Sequence, residues 1–236
     1  MDASKVDKMR EQVESAPDDP WAHYNLGVAY DQVGQTEEAL AAFGQALALN
    51  PEMMEARFNQ GVGLLELGRN EDARGNLEAV TQIAPDFPPG WFMLGVVCGV
   101  LEDLPAAVAA TRQGLALDPK SPPGWSNLAR MLAQQGDLSA GMDAFKQAIE
   151  VQPDFIGAYL GLGTVFAWSR EPELREQIPM LHDPFRMNLQ DAEDGLRFTL
   201  ALLCLGQTED MRASMAPLRE ARPEYAAIVE RLAKGA

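Results

Sequence analysis

Cysteine and histidine are nearly absent, with two of each in 236 residues. Cys98 and Cys204 lie in the apolar runs "GVVCGVL" and "LALLCLG". So few cysteines exclude a disulfide framework, and buried free thiols are expected. His23 and His182 are far apart, and no closely spaced Cys/His group suggests zinc. Positive charge is scarce too: 19 Lys and Arg stand against 35 Asp and Glu, a formal net charge of −16. Binding to DNA, RNA or anionic membrane surfaces depends on clustered cations. Nucleic acid is therefore not an expected partner, and a basic or apolar one is easier to accommodate. The charge-free stretch from Phe87 to Leu101 is too short to span a bilayer and is interrupted by two prolines, so membrane insertion is not expected. The charged opening "MDASKVDKMREQVE" is no secretory signal. A cytoplasmic protein is the expectation, with a mature exported form as the alternative.

What the chain has is a period. The tetrapeptide PPGW occurs at Pro88–Trp91 and again, 34 residues later, at Pro122–Trp125. Prolines fall at Pro17, Pro51, Pro85, Pro119 and Pro153, each 34 after the last. Between them run paired helical patterns. "AHYNLGVAYDQVG" carries Leu26, Gly27 and Tyr30, and "TEEALAAFGQALALNP" carries Ala39, Phe43, Ala46 and Pro51. Gly61, Leu64, Gly68, Ala73 and Leu77 repeat the scheme, followed by Trp91, Leu94, Gly95 and Ala107, then Trp125, Leu128, Ala129, Gly136, Phe145 and Ala148. Small residues let neighbouring backbones approach, and large ones fill the gaps between helices. Thr36, Asn70, Asp103 and Asp137 are expected to cap helix starts. Proline is tolerated in a first helical turn. In PPGW, the glycine is expected to make room for the preceding helix and the tryptophan to anchor the new one. His23, in the place of a tryptophan, is read as a core residue.

These blocks resemble the tetratricopeptide repeat, whose signature is W-x2-L-G-x2-Y, then A-x3-F and a closing proline. The resemblance covers roughly residues 20–165 and is weaker beyond. It implies an all-α fold, a right-handed superhelical solenoid of stacked antiparallel helix pairs, because one pair cannot bury its apolar face alone. The expected organisation is an N-terminal capping helix (1–19) and four regular units (20–53, 54–87, 88–121, 122–155). A divergent fifth unit with an insertion (156–191) follows, then a sixth unit with a capping helix (192–236). The pattern breaks at "EPELREQIPMLHDPFRMNLQDAEDG", where Pro223 follows Pro153 by 70 residues instead of 68. The 170–191 stretch is either an irregular cap or a lid over one face.

The resemblance also implies that the first helix of each pair lines an inner, concave surface. The residues placed there are Trp21, Tyr24, Asn25 and Val28, then Phe58, Asn59 and Val62, then Phe92, Met93 and Val96, then Asn127 and Arg130, and finally Leu160 and Trp168. Asn25, Asn59 and Asn127 recur in register, and an asparagine can both donate to and accept from a peptide backbone. Met93 interrupts that ladder. The helix "GWFMLGVVCGVL" is apolar all round, so it should be covered on every side. The clamp that some relatives use for chaperone tails needs cations where this chain has Tyr24, Val28, Pro89 and Met93, so that partner is not expected. Arg130 is the one clear inner cation, expected to pair with a ligand's acidic group or, the reading favoured, with an acidic neighbour.

No nucleophile–base constellation is present, and no cofactor, metal or catalytic residue is expected. The leading functional reading is a non-enzymatic adaptor or scaffold that holds an apolar or aromatic-containing peptide segment of a partner protein. The alternatives are a carrier or sensor of a small apolar ligand in the same groove, and a self-assembling scaffold in which copies associate.

Overall fold

The computed structural model describes residues 3–172 and 192–234. His182 and residues 173–191 of the stretch read as a cap or lid lie outside these residues. Among the described residues there are thirteen helices and no strand. The chain divides into two compact units, Met1–Leu117 and Asp118–Ala236.

In the first unit, α1 (Ala3–Ser15) packs on α2 (Pro20–Gln32), and α2 pairs with α3 (Thr36–Leu49). The pairs α4 (Met54–Glu66) with α5 (Asn70–Ile83) and α6 (Pro88–Val100) with α7 (Leu104–Leu117) follow, each stacked on the one before. In the second unit, α8 (Pro122–Gln134) pairs with α9 (Leu138–Val151). α10 (Ile156–Arg170) packs on both and on α11 (Ala192–Cys204), and α12 (Thr208–Ala221) and α13 (Pro223–Lys234) close the unit.

The small-and-large pairing is realised as direct contact. A Cβ on Gly27 would lie 2.5 Å from the Phe43 ring, and one on Gly61 would lie 3.0 Å from Leu77. At Gly90 of the first PPGW, a Cβ would meet Val80 of the preceding helix at 2.9 Å. The closest approach is in the second unit, where a Cβ on Gly163 would sit 1.8 Å from the Arg197 carbonyl oxygen of α11. Only glycine lets α10 and α11 pack so tightly.

Each pair turns on the same hydrogen bonds. Gly34 N–H donates to the Asp31 carbonyl and Gln35 N–H to that of Tyr30. The same two bonds recur around Gly68, Glu102, Gly136 and Gly206. This is the Schellman closure, which needs one residue with left-handed backbone. Glycine takes that role at 34, 68, 136 and 206, with φ between 71° and 94°. Glu102 takes it with φ 61°, although such a backbone is unfavourable for a residue bearing Cβ.

A second recurring device ties each first helix to the loop before it. His23, Arg57, Trp91, Trp125 and Tyr159 each reach back six residues to the carbonyl of Pro17, Pro51, Pro85, Pro119 and Pro153. The Trp91 and Trp125 indole N–H groups donate at 2.8 and 2.9 Å. At His23 the acceptor is a carbonyl, so Nε2 carries the proton in its 2.8 Å bond. This corrects the expectation that the two tryptophans fill space between helices and that His23 is a core residue. All three are half-buried, because the ring's polar edge is needed at the loop.

Asp103 and Asp137 cap α7 and α9, accepting from Ala106 N–H and Ala140 N–H. Thr36 and Asn70 instead stand one place inside α3 and α5, after Gln35 and Arg69, which make no side-chain cap. The Schellman turn uses those two residues' N–H groups, which fixes the start.

Candidate functional site

In the first unit the inner-helix residues form a partly open apolar strip. Trp21 is 50% exposed because Pro20 starts α2 and sets the next side chain at its outer edge. Its ring stands edge-on to Tyr24 at 5.4 Å between centroids. Tyr24 packs on Phe43 at 5.9 Å and touches two core clusters, one around Tyr30 and Phe43 and one around Ala46, Met53 and Ala56. Its hydroxyl accepts from Asn59 Nδ2 at 3.3 Å, which links α2 to α4 across repeats. Trp21, Tyr24 and Asn59 are thus brought together, with Asn59 keeping its carbonyl oxygen and one N–H for other partners.

Asn25 is exposed, while Val28 packs onto the core cluster that includes Val6 of α1. Phe58 stands edge-on to Phe87 at 5.4 Å. Val62, Met93 and Val96 are half-buried. Phe92 is also half-buried but is held against α7, where a Cβ on Gly114 would lie 2.6 Å from its ring. α6 packs against α5 and α7, and Val100 at its C-terminal end stays 52% exposed, so the neighbouring helices cover only part of this apolar helix.

In the second unit the covered helix is α10, buried at every residue from Ala158 to Trp168. Leu160 and Trp168, placed on an open lining by sequence, are 4% and 3% exposed and belong to the core. On α8, Asn127 and Arg130 are half-buried. Arg130 Nη2 donates to Asn127 Oδ1 at 3.3 Å. No carboxylate pairs with Arg130 among the described residues. Burial alone pulls the Arg130 guanidinium below its ordinary pKa.

Phe87 is a residue that sequence reasoning missed. Its signal was available: Met53, Phe87, Ser121 and Phe155 stand 34 apart, each just before a first helix. Three are apolar, and Ser121 replaces the contact with a hydroxyl cap that accepts from Gly124 N–H. Two clefts are also present. One, of about 680 Å³, lies in the first unit between Leu40, Arg57, Gln60 and Asp72. The other, of about 480 Å³, lies in the second unit beside Ile156, Tyr159, Phe198 and Asp210. None of the sequence-selected inner residues lines either cleft. Both cysteines are free, and burial raises their thiol pKa values, so neither is an activated nucleophile. No described helix is long and apolar enough to cross a membrane.

Helical hairpins of 34-residue period, closed by identical turns, define an all-α helix-pair repeat protein. Models of the tetratricopeptide repeat match residues 20–53, 63–122 and 92–155, together more than half of the chain. The chain belongs to the tetratricopeptide repeat family, and the role of protein-interaction scaffold goes with that membership. Its fold is similar to MamA (residues 41 to the end) from Desulfovibrio magneticus RS-1. That match has 24% identity over 63% of this chain and 84% of that one, with a TM-score of 0.61. It is also similar to YrrB, described as a TPR protein with an unusual peptide-binding site. There the identity is 17% over 96% of this chain and 99% of that one, with a TM-score of 0.64. The Cut9–Hcn1 hetero-tetramer of the APC/C gives 14% identity over 96% of this chain and 46% of that one, at 0.62. No curated protein matches the chain at a significant level.

Proposed function

We propose that this chain is a non-enzymatic adaptor whose first-unit inner helices bind an apolar or aromatic-containing peptide segment of a partner protein. The observation that carries the reading is the Trp21–Tyr24–Asn59 cluster. An indole left half in water is supported from below by a tyrosine that the core holds rigid, beside an asparagine with spare donor and acceptor. Rigid aromatic anchors with a large exposed area are the residues that dominate peptide-binding energy. The half-buried apolar side chains of Phe58, Val62, Met93 and Val96 extend the strip for an apolar segment. The peptide-binding site named for YrrB is in keeping with this reading. Of the two clefts described, neither is lined by the selected residues, so neither supports the small-ligand reading.

Peptides selected from a random library against the chain test the proposal. They should be rich in apolar and aromatic residues, and Trp21→Ala should weaken them by about 2 kcal/mol, roughly 30-fold. Selected peptides that are mainly charged, or that bind Trp21→Ala unchanged, would remove the basis for it. Concentration-dependent multimers that mask the strip in native mass spectrometry would favour self-assembly instead.

A further inference from the structure

The two clefts occupy equivalent positions in two repeats. In the first, Gln60, Leu64, Arg69, Asp72, Gly75 and Asn76 line the junction of α4 and α5. In the second, Phe198, Leu202, Gln207, Asp210, Ala213 and Ser214 line that of α11 and α12. Each residue of the second set stands 138 after its counterpart, four periods of 34 and the two-residue insertion. The chemistry differs between them. In the first cleft Arg69 pairs with Asp72 at 3.1 Å, and Arg57 adds a second cation to the lining. In the second, Gln207 stands in the place of Arg69, and Asp210 has no ion pair among the described residues. Phe198 replaces Gln60, and the wall that α3 supplies to the first cleft comes here from Ile156 and Tyr159 of α10. The Tyr159 and Phe198 rings meet at 5.3 Å between centroids. No lysine or arginine lines this cleft among the described residues.

An exposed carboxylate without a counter-ion is commonplace in a chain of net charge −16. Asp210 differs in standing at the mouth of an aromatic cleft. Depth orders the lining: Leu202 and Tyr159 are 3% and 9% exposed, Ile156 and Phe198 are half-buried, and Gln207 and Asp210 are exposed. The Tyr159 hydroxyl is engaged, donating to the Pro153 carbonyl, and so is that of Ser214, which accepts from Thr199 and donates to the Met211 carbonyl. The Asp210 carboxylate and the Gln207 amide are left as the outer polar groups. The field of Asp210 reaches the rings, since burial first and that carboxylate second raise the Tyr159 hydroxyl's pKa.

We propose that this cleft binds an organic amine, with its apolar body inside against Tyr159, Phe198 and Leu202 and its ammonium outside at Asp210. The inference goes beyond the peptide-binding reading and shares no residue with the first-unit strip. A cleft of about 480 Å³ lies in the size range of small-molecule sites. Aromatic rings attract a cation, and the field of an acidic chain disfavours an anion. The order of the lining also sets the ligand's direction. A partner's lysine side chain would enter tip first and carry its charge to the apolar floor, away from Asp210. A free amine and the apolar N-terminal residue of a polypeptide both present the required order.

The test uses the full chain with ¹³C-labelled isoleucine methyl groups, the Ile156 signal being assigned by its loss in Ile156→Val. The probes are phenethylamine, the neutral phenethyl alcohol, N-acetyl-lysine methylamide, and a phenylalanyl-alanine amide with and without N-acetylation. Phenethylamine should shift the Ile156 signal saturably and bind about five-fold more tightly than the alcohol, the effect of one exposed ion pair. Gln207→Arg recreates the pairing of Arg69 with Asp72 and should weaken the amine about five-fold, with less effect on the alcohol. Asp210→Asn should act likewise, and Ala213→Phe, which fills the cleft from an exposed position, should abolish both. A dipeptide that outbinds phenethylamine and loses this on acetylation assigns the amine to a polypeptide N-terminus, and a weaker one assigns it to a free molecule. Absence of a saturable shift, equal affinity for the alcohol, a lysine probe as tight as phenethylamine, or unchanged amine binding in Gln207→Arg would each overturn the proposal.

Discussion

Glu102 makes the sharpest stability prediction. It occupies the turn position held by glycine at 34, 68, 136 and 206, and its φ of 61° is left-handed. Left-handed backbone costs a residue bearing Cβ about 1–2 kcal/mol. Glycine removes that cost but restores freedom to the unfolded chain, worth about 0.4–1 kcal/mol in the opposite direction. The Glu102 side chain is exposed and makes no hydrogen bond or ion pair among the described residues. It also places a negative charge at the C-terminal end of α6, where the helix dipole disfavours it by a few tenths, about 0.3 kcal/mol. Glu102→Gly should therefore stabilise the first unit by about 1 kcal/mol. Urea unfolding followed by Trp91 fluorescence in the same repeat would read this as a raised midpoint at constant slope. Two variants separate the contributions: Glu102→Ala keeps the strain and should gain only the small charge term, whereas Gly34→Ala should lose about 1 kcal/mol, the strain less the freedom removed from the unfolded chain. The reasoning fails if Glu102→Gly lowers the midpoint, or if it does no better than Glu102→Ala.

Two other perturbations follow from the packing. Trp91→Phe keeps an aromatic ring but loses the indole donor to the Pro85 carbonyl, and should cost about 1 kcal/mol in chemical denaturation; no loss would mean that the loop tie contributes nothing. Gly163→Ala must separate α10 from α11, because its Cβ would lie 1.8 Å from a backbone oxygen that no side-chain rotation can move. It should cost more than about 3 kcal/mol and expose α10 amides to hydrogen exchange, whereas protection like the parent's would show that the contact is looser than described.

Much of the fold was legible because it is written in residue types with a fixed spacing. Prolines every 34 residues, and pairs such as Gly27 with Phe43, state where helices start and how closely they pack. The turn at 102 was harder to read, since a glutamate there carries no sign of left-handed backbone. The ties to the proline carbonyls were also hidden, because histidine, arginine, tryptophan and tyrosine all supply a donor at one geometric position. For the site, helix register identified which residues lie on the first helices but not what packs over them. Leu160 stands in register with Tyr24, and Trp168 two turns further along the same stripe, yet the close approach of α11 at Gly163 places them in a covered helix. Tyr24 was read as lining alone, although it also joins two core clusters. Arg130 was expected to find an acid nearby, and local sequence cannot show that none of the described carboxylates reaches it.

The most direct test of the central claim compares two exposed apolar residues, Trp21 on a first helix and Leu49, 42% exposed, on a second helix. Fluorescence anisotropy of one selected peptide should show about 30-fold weaker binding to Trp21→Ala, with no change for Leu49→Ala. Equal affinity for both variants, or a loss confined to Leu49→Ala, would contradict the account.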